Sequence, residues 1–273
     1  MNPREDTHLL EWQVFITAPG IAGYLLNLLP VCFLHTGTFK FRGFDMDFKH
    51  ILEYSTALSQ NNDRIWFKAN HAQYETAKKE FAGFLDFLRF ELAEKSPELA
   101  KDILYMNTSD WMYRTARDMR FYKDRPPYDP SFRAYICADK KSWLPIGYYI
   151  RIFPGETNFG TGLWCEDTKT LNRVRDYIIA NFDEFERIRK EMNLPLSGTK
   201  LKKMPRGYSE DEPAAEWLKY KHLSVVVNFK DDDLGTFEQF RNTLGSFAER
   251  IEPMRLFLLD AAKTALAPAD EDW

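Results

Sequence analysis

Cysteine is scarce in this 273-residue chain, and the shortage removes several classes of protein at once. Cys32, Cys137 and Cys165 lie far apart and form no C-x-x-C pair, so neither a disulfide framework nor a zinc site is expected. The five histidines (His8, His35, His50, His71 and His222) show no H-x-x-x-H spacing, and neither a metal nor a cofactor is expected. The chain also lacks the P-loop pattern, G-x-S-x-G, H-E-x-x-H and an EF-hand loop. Its nearest approach to a dinucleotide fingerprint, Gly155 with Gly160-Thr161-Gly162, has neither the spacing nor the strand-to-helix setting. Those glycines fit a bulge or a close backbone approach better. Long hydrophobic runs are missing too. The apolar stretch at 21–34 is interrupted by Asn27 and Pro30 and falls short of the roughly 20 residues that a spanning helix needs. Met1–Arg4, followed by Glu5 and Asp6, does not make a secretory signal. A cytoplasmic protein with no membrane partner is the resulting expectation.

What the chain has in quantity is aromatic rings. Its 22 Phe, 13 Tyr and 7 Trp make up 15% of the residues, so ring packing should fill much of the core and leave rings over for a ligand face. Hydrophobic residues at 44% and charged residues at 29% are ordinary for a globular domain. The net charge of −4 hides an uneven distribution. Basic residues cluster at 114–125 and 200–206, while Asp231-Asp232-Asp233 and Asp270-Glu271-Asp272 are acidic. The global charge disfavours unspecific nucleic-acid binding, and the local charge leaves an anion site open.

Residues 1–45 differ from the rest by their glycine and proline breaks. Three readings fit them: a loosely packed extension, an interfacial or targeting segment, or, preferentially, translation upstream of a true start at Met46. A chain starting at Met46 is then expected to fold with undiminished stability. From there one domain, 46–273, is predicted. Asp47 caps a short helix through Phe48, Ile51, Leu52 and Leu58. Asp63 opens a single long helix whose stripe runs Phe67, His71, Tyr74, Ala77, Phe81, Phe84, Leu85, Leu88 and Leu92, ending at Ser96-Pro97. His71 within it is read as hydrogen-bonded and partly buried. Alternating segments follow at Trp111–Thr115, Phe132–Cys137, Gly147–Phe153 and Phe159–Trp164, with connections too short for crossovers, so the sheet should be antiparallel. Helices are expected from Asp167 and at about 183–192, another opens at Pro213, His222–Phe229 reads as a strand, and a last helix covers roughly 236–262, bent at Gly245 or Pro253. The fold class is α+β, an antiparallel sheet of about five strands packed against long N- and C-terminal helices.

The chemistry concentrates in 114–130, where Arg114, Arg117, Arg120, Lys123 and Arg125 alternate with Phe121, Tyr122 and Tyr128 before stiff prolines. Arginine's planar fork suits bidentate contact with phosphate or carboxylate. Arg117 and Arg120, with Asp118 orienting a guanidinium, are the expected clamp. Lys123, Tyr128, Tyr148, Arg151, Lys202 and Arg206 would complete a pocket for an anionic small molecule, phosphorylated or nucleotide-like. Two other readings stand beside it. The arginines form internal ion pairs in a structural or protein-interaction module, or Asp118 or Tyr128 serves a hydrolase-like enzyme as catalytic residue.

Several motifs together resemble a known family. They are Asn61-Asn62-x-x-x-Trp66-Phe67 with Tyr74, Arg117-Asp118-x-Arg120-Phe121-x-Lys123-Asp124-x-x-Pro127-Tyr128, Gly147-Tyr148-Tyr149 with Pro154-Gly155, Gly162-Leu163-Trp164, and Pro205-Arg206-Gly207-Tyr208 with Pro213-Ala214-x-Glu216-Trp217-Leu218-Lys219. In order from about Met46 to about residue 258, the chain is similar to the uncharacterised family called domain of unknown function 2461. The resemblance implies an α+β domain with a set of marked residues and no reaction. This sequence departs from the pattern at Tyr122, Arg125, Asp129, Phe159 and Thr161, which argues against an anion site at the 128–130 turn.

Overall fold

The computed structural model describes residues 47–121, 123–138 and 144–267, so the expectations for 1–45 lie outside the described residues. The expected α+β architecture is present. Helices α1 (Lys49–Gln60), α2 (Arg64–Ala69), α3 (His71–Lys95), α4 (Pro97–Ile103) and α5 (Thr108–Trp111) precede strands β1 (Phe132–Ile136), β2 (Tyr148–Ile152) and β3 (Thr157–Trp164). Then come α6 (Thr168–Ala180), α7 (Phe182–Met192), β4 (Leu196–Ser197), α8 (Ala215–Leu218), β5 (His222–Phe229) and α9 (Phe237–Leu266). The sheet is antiparallel with order β1-β2-β3-β5-β4.

Among the described residues three of the α-helices start on side-chain caps, whereas α1 begins after Phe48 with no side-chain cap. The Asp63 carboxylate accepts from the Ile65 and Trp66 N–H groups at the head of α2, Asp167 accepts from Thr170 N–H in α6, and Thr236 and Gln239 cap α9 reciprocally. Three expectations need correction here. The single helix from Asp63 is broken at Asn70, whose side-chain amide donates to the Trp66 carbonyl and closes α2 before α3 begins. Trp111–Thr115 is not a strand: Trp111 ends a helical turn, and the segment touches the sheet through an isolated bridge between Met112 and Ala134. The fifth strand is instead the two-residue β4. His71 lies on the surface beside Glu75, at 57% side-chain exposure, and not partly buried.

One face of the sheet carries Phe132, Ala134, Ile136, Tyr148, Ile150, Ile152, Phe159, Leu163, Leu223 and Val225, all buried. This is the alternation that period two produces when one face is covered. The core built on it is aromatic as composition predicts: Phe132 meets Tyr54 and Phe81, and Phe48, Phe84, Phe237 and Phe240 interlock. Gly245 serves packing: a Cβ there would stand 2.3 Å from Glu91 Oε1, so its absence lets α3 and α9 approach. A buried polar knot crosses the core. Arg255, 1% exposed, donates through Nε and Nη2 to Glu252, and the hydroxyls of Ser96 and Tyr148 donate to the two Glu252 oxygens. Burial alone disfavours the Arg255 charge, but the Glu252 carboxylate beside it raises the guanidinium pKa overall.

Candidate functional site

The 114–130 segment is a hairpin-like excursion outside β1. Ala116 bridges Tyr128, Arg117 N–H donates to the Pro127 carbonyl at 2.8 Å, and Asp129 N–H donates to the Thr115 carbonyl at 2.7 Å. Asn62 docks it from the α1–α2 turn. Its Nδ2 donates to the Tyr128 carbonyl and its Oδ1 accepts from Tyr128 N–H, both at 3.0 Å, so one side chain acts as a strand partner. The Tyr128 ring stacks on Phe67 at 4.0 Å, and Tyr74 packs against Phe67.

That docking accounts for most of the expected clamp residues. Arg117 turns inward, where Nη1 donates to the carbonyls of Pro126 and Tyr128 and Nη2 pairs with Asp129 at 3.2 Å. Arg120, 83% exposed, chelates Asp118 through Nε and Nη2. Arg117 and Arg120 therefore face different partners and do not form one clamp. Hydrogen bonds from the Arg120 side chain and backbone hold the Asp118 carboxyl below the usual carboxylate range, which suits an acceptor and not a general acid. Lys123 is exposed on the excursion's tip. Tyr148 is fully buried in the polar knot, on the sheet face opposite to Arg151, and lines no surface pocket. Lys202 and Arg206 are exposed in a stretch that pairs with residues 219–221 near β4. The two cationic stretches thus lie at opposite edges of the five-stranded sheet, one outside β1 and one beside β4.

A different constellation sits on the outer sheet face. Arg133 of β1 is the cross-strand partner of Arg151 of β2, and Tyr135 is the partner of Tyr149. Directly opposed residues have Cβ atoms about 5 Å apart, and like charges in that position are destabilising. The counter-charges are few. Asp129 Oδ2 is shared between Arg133 at 3.1 Å and Arg117 at 3.2 Å, while Arg151 pairs with Glu156, itself 62% exposed. Among the described residues the buried Arg133 Nε–H has no acceptor. Tyr113 joins the group: its N–H donates to the Arg133 carbonyl, its ring lies 5.2 Å from the Arg133 guanidinium and meets Tyr149 edge-on. Burial pushes both Tyr113 and Tyr149 above the ordinary phenol range, so they are neutral donors at physiological pH. Burial raises the Asp129 carboxyl, yet hydrogen bonds from Ser131 and the Arg133 and Arg117 charges outweigh it and leave the pKa lowered.

Of the residues expected from sequence, this group contains Arg151, with Arg117 adjacent. Arg133, Tyr113 and Tyr149 were missed. The signal existed as arginine at alternate positions of two neighbouring strands, but only the register places Arg133 opposite Arg151. Further along the same face, Trp164 stacks on His222 with centroids 3.6 Å apart and planes 8° from parallel. Among the described residues no cluster of His, Cys, Asp and Glu could hold a metal ion, and no helix is long and apolar enough to cross a membrane.

No curated protein and no solved structure shows significant similarity to the chain. Residues 50–257 match the model of the family described as conserved hypothetical protein (DUF2461), and the chain belongs to that family.

Proposed function

We propose that the protein is a binding protein for an anionic ligand, phosphorylated or nucleotide-like, and that the anion is held by Arg133 and Arg151 on the outer sheet face. The observation that carries this reading is the direct cross-strand opposition of the two arginines, with a carboxylate shared with Arg117 and an exposed carboxylate as their ion-pair partners among the described residues. Three guanidinium groups, Arg117, Arg133 and Arg151, stand against the two carboxylates Asp129 and Glu156, so the cluster keeps net positive charge. An anion between the facing arginines relieves their repulsion and offers acceptors to planar forks suited to phosphate. The Tyr113 and Tyr149 hydroxyls supply neutral donors at its rim. The second reading, a structural or interaction module, is favoured by the ion pairs at Arg117 and Arg120. It does not account for the facing pair.

The test is thermal denaturation with inorganic phosphate and with adenosine monophosphate. A ligand that binds the native state raises the midpoint with concentration by mass action. The rise is expected in the wild type and in Arg120→Ala, and is expected to vanish in Arg151→Ala. Because Glu156 is exposed, Arg151→Ala itself should change stability by no more than about 1 kcal/mol. No rise with either anion, or an undiminished rise in Arg151→Ala, favours the module reading.

A further inference from the structure

The outer face continues past the arginines. Along β3 the residues on this side are Asn158, Gly160, Gly162 and Trp164, the cross-strand partners of Asn228, Val226, Ser224 and His222 on β5. The two central positions carry no side chain. A Cβ at Gly160 would stand 2.0 Å from the Val225 carbonyl oxygen, and one at Gly162 2.6 Å from Ser224 Cβ, so neither position accepts a larger residue without moving β5. Gly160 is buried, and the track along β3 is lined instead by rings: Tyr149 lies beside Gly160 on the β2 side, and Tyr135 reaches over β2 to bring its hydroxyl 3.4 Å from the Gly162 carbonyl. At one end lie Arg151 and Arg133. At the other lies Trp164, whose ring rests on His222 yet is 65% exposed. Burial lowers the His222 pKa, so the imidazole is neutral at pH 7 and adds no charge to the platform.

An indole held flat against a second ring, with so much of its surface in water, is costly to leave unused, and it is pre-ordered for stacking a planar group. From Asn158, opposite Arg151, to Trp164 is six residues of extended strand, about 20 Å. That span exceeds a single nucleotide. We infer that the outer face binds single-stranded nucleic acid along β3, with backbone phosphate at Arg133 and Arg151 and a base stacked on Trp164. This rests on the anion reading above and extends it to an oligomer. Charge complementarity selects the occupant: the face presents cations at one end and an aromatic platform at the other, the pairing that strand-binding surfaces use.

The experiment is a binding titration of end-labelled mono-, di-, tetra- and octathymidylate by fluorescence anisotropy, at two salt concentrations, with polyglutamate as competitor. The wild type should gain roughly tenfold or more in affinity from mono- to octathymidylate, and Trp164→Ala should erase that gain. Inorganic phosphate binding, read by thermal shift, should be the same in Trp164→Ala as in the wild type. Equal affinity at all lengths, an unaffected Trp164→Ala, or equally effective polyglutamate overturns the track. If phosphate itself fails to stabilise the wild type, the anion reading fails as well; if phosphate binds but length brings no gain, only the oligomer is lost.

Discussion

Asp129 is the residue on which the arginine cluster turns. It accepts from Ser131 N–H at 3.0 Å and from the Ser131 hydroxyl at 2.6 Å, and it neutralises Arg117 and Arg133 together. Its folded pKa is lowered, so by linkage it contributes stability that is present above the unfolded carboxyl value and is lost as pH falls through the folded one. Asp129→Asn should therefore flatten the acid side of the stability curve below about pH 4. At neutral pH it should cost about 1–3 kcal/mol, read by urea denaturation, because two half-buried guanidinium groups lose their common partner. An unchanged acid limb would contradict this role. Arg120 gives the contrast. Its pair with Asp118 is exposed, and Arg120→Ala should leave stability within about 1 kcal/mol of the wild type.

At the scale of elements, the excursion from Thr115 to Tyr128 depends on one side chain from a distant turn. Asn62 supplies both a donor and an acceptor to the Tyr128 backbone. Asn62→Ala leaves two part-buried backbone groups unpaired and should destabilise by about 2 kcal/mol. Hydrogen exchange at Arg117 and Asp129 N–H should accelerate more than exchange in β2, and uniform acceleration would contradict a local docking role. The same elements show what was legible in the sequence. Capping residues and period-two alternation located most helices and four of the five strands. The break at Asn70 was invisible because the apolar stripe continues through it, and the Trp111–Thr115 alternation imitated a strand at the end of a buried helical turn. The basic aromatic run was conspicuous, but its charge pattern does not say which guanidinium groups are consumed by carbonyls and carboxylates. Arg117 and Arg120 stand out in the sequence, whereas Arg133 and Arg151 are brought opposite one another by register, which no local pattern specifies.

Across the whole molecule, the helical layer is keyed to the sheet by the Glu252–Arg255–Tyr148–Ser96 knot, which joins α9, β2 and the end of α3. Every charge in it is paired, so removing one partner is worse than its net contribution suggests. Glu252→Ala strands the Arg255 guanidinium and should cost about 3–5 kcal/mol. That corresponds to a fall of roughly 6–20 °C in Tm for a domain of this size. A loss below about 1 kcal/mol would mean that the knot relaxes or hydrates on substitution. With the helices keyed to one face, the other bears the facing pair Arg133 and Arg151, the proposed anion site. The most direct measurement is a crystal structure of the protein soaked with tungstate, a heavy tetrahedral analogue of phosphate that anomalous scattering locates without ambiguity. An anomalous peak is expected within hydrogen-bonding distance of both guanidinium groups, lost in crystals of Arg151→Ala. A peak at Arg120 or at Lys202 and Arg206 instead, or none on the outer face, would contradict it.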